Sequence, residues 1–160
     1  SGQPVPKFFY LNRMRFLYNL KSKHEFAKKL ISKLEGRTLI FTGSIAQAES
    51  LCKNTYHSKT DDILLKKFLE GKIDKLACVN AGGVGYTYRN VDNFVITQIN
   101  SNGKGDSTQK IARSLVLQEG YVATIYILVV RNTVDEDWLK KVLQDFDIKN
   151  VEYISSKNYE

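Results

Sequence analysis

The apolar positions of this chain alternate between two periods. In "HEFAKKLISKLEG", Phe26, Leu30, Ile31 and Leu34 recur at three- and four-residue steps. That is one stripe of a helix, which Gly36 can end. "RTLIFTG" is a short continuous apolar run and reads as a buried strand. Ser44 then opens a second helix, with Gln47 three residues on in a capping-box pattern. "TDDILLKKFLEGK" predicts a third helix, with Thr60 as its cap, two acids in its first turn and Gly71 at its close. "DKLACVN", "NFVITQIN" and "YVATIYILVV" read as strands. "GDSTQKIARSLVLQEG" reads as a capped helix ending at Gly120, and "NTVDEDWLKKVLQDF" as a last helix with Thr133 and Glu136 as its capping box. The segment "KFFYLNRMRFLYNL" is aromatic and basic together and does not follow this pattern. It reads either as a helix packed on the domain or as a segment that packs against something outside it.

Strands alternating with helices predict an α/β domain with a central, mainly parallel sheet and helices on both faces. Ligands of such sheets bind beyond the C-terminal ends of the strands. That rule selects Thr42-Gly43-Ser44, Asn80 to Gly85, the loop from Asn100 to Ser107, and Arg131.

Length and composition narrow this further. The 160 residues suit one domain, and 42% apolar with 26% charged residues suits a folded one. No apolar run approaches a membrane span, so no membrane partner is expected. Cys52 and Cys78 sit in apolar segments, with no CxxC spacing and no adjacent histidine. They read as buried reduced thiols in a cytoplasmic setting, and no metal site is predicted. The net charge of +7 is compatible with phosphate-rich partners, or with a solvated basic face.

The stretch "ACVNAGGVGYTYRN" places Gly82, Gly83 and Gly85 directly after an apolar strand. Glycines there let a backbone approach a phosphate, or simply form a tight turn at the sheet edge. Neither a GxGxxG fingerprint nor a Walker A loop is present. On the helix from Ser107, Gln109, Arg113 and Val116 share one face, while Ile111 and Leu115 form another stripe that can face the sheet. A guanidinium anchored this way can reach a phosphate, though a solvated surface arginine has the same pattern. Asp135 and Glu136 fit the first turn of a helix, and His24 and His57 have no nucleophile to activate.

Taken in order, these segments resemble the C-terminal RecA-like lobe of superfamily 2 helicases and translocases, over roughly residues 24 to 142. "TLIFTGSIAQAESLC" looks like the motif IV strand and helix, and "YHSKTDDILLKKFLEGKIDKLACVN" the histidine-bearing strand end, helix and next strand. "AGGVGYT" is close to motif V in its Swi/Snf-type form, "QKIAR" matches the start of motif VI, and "IYILVVRNTVDEDWLKK" resembles the family's strand and helix beyond motif VI. The resemblance implies a P-loop NTPase-type fold that completes an ATP site and grips a nucleic-acid backbone. Gln109 and Arg113 would stabilise the transferring phosphoryl group. Gly83, Gly85 and Thr87 would lie near the nucleotide. Thr42, Ser44, Ser58, Lys59, Asn80 and Gly82 would touch a strand's phosphates, in contacts blind to base sequence.

Three departures from the family pattern stand out. Ala112 replaces the motif VI glycine, and Val116 its second arginine, which leaves either Arg113 to act alone or another arginine, such as Arg89 or Arg131, to substitute. Val79 and Thr87 replace the Thr and the Asp or Asn usual around motif V. Walker A and an acidic Mg²⁺ box are absent, so the chain reads as a second half whose partner is an N-terminal RecA-like lobe of the same polypeptide. Residues 1–23 are expected to be the inter-lobe linker or an N-terminal extension, and 24–160 the lobe. ATP and Mg²⁺ are expected to be held mainly by the other lobe, and DNA is expected in preference to RNA. The chain alone is expected not to turn over ATP. The alternative is a non-enzymatic nucleic-acid-binding module.

Overall fold

The computed structural model describes residues 13–18, 23–79, 88, 90–97, 123–130 and 151–155. In chain order these form β1 (Arg13–Tyr18), α1 (Lys23–Lys33), β2 (Thr38–Thr42), α2 (Ile45–Leu51), β3 (Thr55–Tyr56), α3 (Ile63–Leu69), β4 (Lys75–Val79), β5 (Asn93–Ile96), β6 (Thr124–Leu128) and β7 (Val151–Ser155). The strands make one seven-stranded sheet in the order β3-β4-β2-β5-β6-β1-β7. Every pairing is parallel.

The continuous apolar runs have a simple cause: alternate residues of each strand face opposite sides, and both sides are covered. Leu39 and Phe41 of β2, Leu76 and Cys78 of β4, Phe94 and Ile96 of β5, and Ile125 and Ile127 of β6 pack on one face with Leu65 and Phe68 of α3. Ile40, Ala77, Val95, Tyr126 and Leu128 pack on the other with α1 and with Ala48 of α2. Each fully buried Leu, Ile or Phe contributes roughly 1.5–3 kcal/mol, so these two clusters dominate the stability.

α1 buries Phe26, Leu30 and Ile31 of the stripe expected of it, with Ala27 added and Leu34 buried just past the helix end, and exposes Lys28, Lys29 and Lys33. Glu25 in its first turn and Lys33 in its last complement the helix dipole. The Ile31 carbonyl, orphaned near the helix end, accepts from Lys75 Nζ at 2.9 Å. Gly36 then turns the chain at φ +87° into β2. There the Arg37 N–H donates to Asp92 Oδ2 at 2.8 Å, tying the start of β2 to the residue before β5.

α3 ends in a Schellman arrangement. Lys72 N–H donates to the Lys67 carbonyl at 2.8 Å and Gly71 N–H to that of Phe68 at 3.0 Å, with Gly71 at φ +79°. Its start differs from expectation. Asp62, not Thr60, occupies the N-cap and makes no side-chain cap bond. The Thr60 hydroxyl is already engaged, donating to the His57 carbonyl at 3.0 Å. Asp61 Oδ1 accepts the Ile63 N–H instead.

Residues 13–18 are a strand inside the sheet, hydrogen-bonded to β6 on one side and β7 on the other. A division of the chain at residue 23 therefore cuts through the sheet, and this segment is neither a helix nor separate from the domain. The helices expected after Ser107 and Thr133 lie outside the described residues. No helix among the described residues is long and apolar enough to cross a membrane.

Candidate nucleic-acid interface

Because all strands run the same way, their C-terminal ends share one edge. The registers keep them level: Thr42 stands opposite Val79, Phe41 opposite Ile96, Tyr56 opposite Cys78, and Ile96 opposite Ile127. Thr42, Gly43 and Ser44, the His57 to Thr60 turn, Thr97 and Val129 are thus among the described residues at this edge.

The segment after β2 is held by its own side chains. Ser44, extended at φ −150° and ψ 158°, caps α2, its Oγ accepting from Gln47 N–H at 3.2 Å. Gln47 Oε1 returns to accept the Gly43 N–H at 3.0 Å, completing the expected capping box one residue upstream of its usual target. Ser44 is exposed and uses its oxygen as an acceptor, so its hydroxyl hydrogen remains for a ligand.

Thr42 does not serve as expected. It is buried, and its hydroxyl is shared between the carbonyls of Ser44, at 3.2 Å, and Cys78, at 3.3 Å. Thr97 repeats the device: fully buried, it donates to the Phe41 carbonyl at 2.9 Å. Each hydroxyl adds a second bond to a carbonyl at the edge that already has one: Ser44 O also accepts the Ala48 N–H, and Phe41 O the Thr97 N–H, both at 3.0 Å. The Thr42 hydroxyl is therefore directed into the edge and not toward solvent. Thr97 was missed in the sequence; the signal was a hydroxyl closing an apolar run, as at Thr42.

Ser58 and Lys59 are exposed on a turn beyond β3. The turn is closed by the His57 N–H donating to Thr60 Oγ1 and the Thr60 N–H donating to the His57 carbonyl, both at 3.0 Å. Cys78, beneath the edge, is buried, and burial pushes its thiol up to about 12, with the neighbouring Cys52 adding to the shift. Burial also pushes Cys52 up. Both thiols are free, and neither is a thiolate nucleophile at neutral pH. Among the described residues no group of three His, Cys, Asp or Glu side chains could hold a metal ion.

Asn80, Gly82, Gly83, Gly85, Thr87, Gln109 and Arg113 lie outside the described residues. β4 ends at Val79, so the chain leads directly from the shared edge into the glycine stretch. The structure thus brings Ser44, Ser58 and Lys59 to one exposed edge and withdraws Thr42 from it.

No protein-family model and no curated protein matches the sequence. Solved structures do match in fold. The C-terminal domain of the DEAD-box protein Dbp5 superposes with a TM-score of 0.76 at 14% identity, covering 94% of this chain and 93% of that one. Saccharomyces cerevisiae Dbp5 bound to RNA and ADP BeF3 gives a TM-score of 0.74 at 14% identity, covering 94% of this chain but 43% of that one. Escherichia coli SrmB, a DEAD-box protein bound to regulator of ribonuclease activity A, gives 0.62 at 18% identity, covering 91% and 89%. The fold is that of the C-terminal RecA-like lobe of superfamily 2 helicases. The chain spans less than half of the RNA-bound Dbp5 chain and nearly all of the separate C-terminal domain.

Proposed function

We propose that this chain is the second motor lobe of an ATP-dependent nucleic-acid helicase or translocase. The observation that carries the reading is the agreement in fold, over nearly the whole chain, with a lobe whose parent is bound to RNA and ADP BeF3 in one matching structure. The exposed Ser44, Ser58 and Lys59 on the ligand-binding edge of a parallel sheet support it. Their contacts would be to phosphates, independent of base sequence and weakened by salt. RNA, the nucleic acid of that neighbour, is the substrate we propose in place of the DNA expected from the sequence.

ATP with Mg²⁺, held mainly by a first lobe, supplies the phosphoryl group whose transfer drives the cycle. The residues of this chain assigned to it are Gln109 and Arg113, which stabilise charge on that group. Gly83, Gly85 and Thr87 would lie near the nucleotide. Alternating closure and opening of the lobes would then shift the grip of this edge along the strand.

The test is ATP turnover by the full-length protein with and without RNA. RNA-stimulated turnover is expected, with Arg113→Ala lowering kcat by about 10³-fold while RNA affinity holds. Turnover by this chain alone, abolished by Arg113→Ala, would overturn the division of labour. RNA binding that never responds to nucleotide in the full-length protein would favour a non-enzymatic binding module.

A further inference from the structure

One buried side chain near the interface has a polar atom that the fold does not use. The His57 side chain is only 5% exposed. Its Nδ1 accepts the Lys59 N–H at 3.2 Å, so the ring hydrogen belongs on Nε2. Nε2 is buried and makes no hydrogen bond. It lies 3.4 Å from Glu49 Oε1, near that carboxylate but not hydrogen-bonded to it. Glu49 is on α2, the helix whose N-cap is Ser44. His57 therefore stands between the two exposed segments of the edge. Through Nδ1 it holds the backbone that presents Ser58 and Lys59, and through Nε2 it faces the helix that presents Ser44.

A turn closed by Thr60 alone needs no imidazole. A buried polar ring with one nitrogen unpaired is a disfavoured choice where an apolar residue would fill the same space. The arrangement is explained if the ring must meet both segments at once.

We propose that His57 is a positioning residue for the nucleic-acid interface, holding the Ser58–Lys59 turn against α2 so that Ser44 and Lys59 engage one phosphodiester strand together. This rests on the functional reading above.

The experiment measures binding of a fluorescent single-stranded oligoribonucleotide across a salt series, with Lys59 amide hydrogen exchange measured by NMR in the RNA-free protein. His57→Asn places a carboxamide oxygen where Nδ1 stands, whereas His57→Gln does not. His57→Asn is expected to keep Lys59 amide protection and the salt slope. His57→Gln is expected to speed Lys59 exchange at least about tenfold, and to reduce the slope of log K against log salt by about 0.7, one single-strand phosphate contact. Should His57→Gln fail to fold, Glu49→Asp, which keeps the charge but draws the carboxylate back from Nε2, is expected to reduce the salt slope by about 0.7 at an unchanged melting temperature; an unchanged slope would overturn the coupling. RNA binding with the same slope in His57→Gln as in the unsubstituted protein would overturn this inference alone. No RNA binding by the unsubstituted protein would overturn the functional reading and this inference with it.

Discussion

Gly36 and Gly71 share a backbone conformation, at φ +87° and +79°, but not a neighbourhood, and substituting alanine at each separates the two effects. A Cβ on Gly71 would have only Arg37 Nη1 near it, at 3.8 Å, an ordinary contact. A Cβ on Gly36 would lie 2.9 Å from the Asp92 Cγ and closer still to Oδ2, so the carboxylate must move. That carboxylate accepts the Arg37 N–H. The left-handed backbone costs alanine about 1–2 kcal/mol at either site, offset by about 0.4–1 kcal/mol from a stiffer unfolded chain. Losing the hydrogen bond to a charged acceptor adds about 1.5–3 kcal/mol at Gly36 alone. Gly71→Ala should therefore cost about 1 kcal/mol, and Gly36→Ala about 2–4 kcal/mol. Urea unfolding followed by far-UV circular dichroism reads both as shifts in midpoint at constant slope. In a Gly36→Ala, Asp92→Ala double variant the two costs should sum to less than their singles, because the second change removes the obstruction. Equal costs at Gly36 and Gly71 would refute the assigned role of Asp92.

Other substitutions probe one face of the sheet and the edge. Phe68 is fully buried, lies under the Arg37 guanidinium at 4.4 Å and meets Tyr88 edge-on at 6.2 Å. Phe68→Ala should cost about 3–5 kcal/mol in the same urea assay. Gln47→Ala, which strips the Gly43 N–H of its acceptor, should cost about 1 kcal/mol. The Cys78 thiol should resist alkylation at pH 8 until the protein unfolds. Its raised value also sets a sign. The unfolded chain releases this proton near pH 9 and the folded chain only near pH 12, so the contribution is whole below pH 9 and falls away between them. The unfolding free energy of the native chain, from urea titrations, should drop over that window by up to about 1.4 kcal/mol per pH unit more than that of Cys78→Ala.

What the sequence disclosed was mostly local. The stripe of α1 and the pairing of Ser44 with Gln47 are written in neighbouring residues, and they differ from the reading only at their ends: Leu34 lies past the helix, and Gln47 reaches Gly43. The strands β2, β4, β5 and β6 announce themselves because burial on both faces removes polar residues from them. β1 did not, since "RMRFLY" carries two arginines in six residues and its partners β6 and β7 lie more than a hundred positions away. β3, two residues long, leaves no period to detect. At the edge the limit was partnership. Thr42 and Ser44 look alike in sequence, but only the register with β4 puts a carbonyl within reach of the Thr42 hydroxyl and withdraws it from solvent. His57 drew attention only as a catalyst without a nucleophile, and its hold on Lys59 depends on a turn that Thr60 closes.

The place of β1 between β6 and β7 also bears on how this fold carries load. β1 and β7 lie side by side and point the same way. A pull on the residues before β1 and after β7 thus acts at opposite ends of two adjacent parallel strands. It loads their hydrogen bonds together, in shear, instead of peeling them apart one at a time. Antiparallel neighbours gripped at the same end would unzip. A strand order that looks like a topological detail would make this sheet resist a pull along its strands.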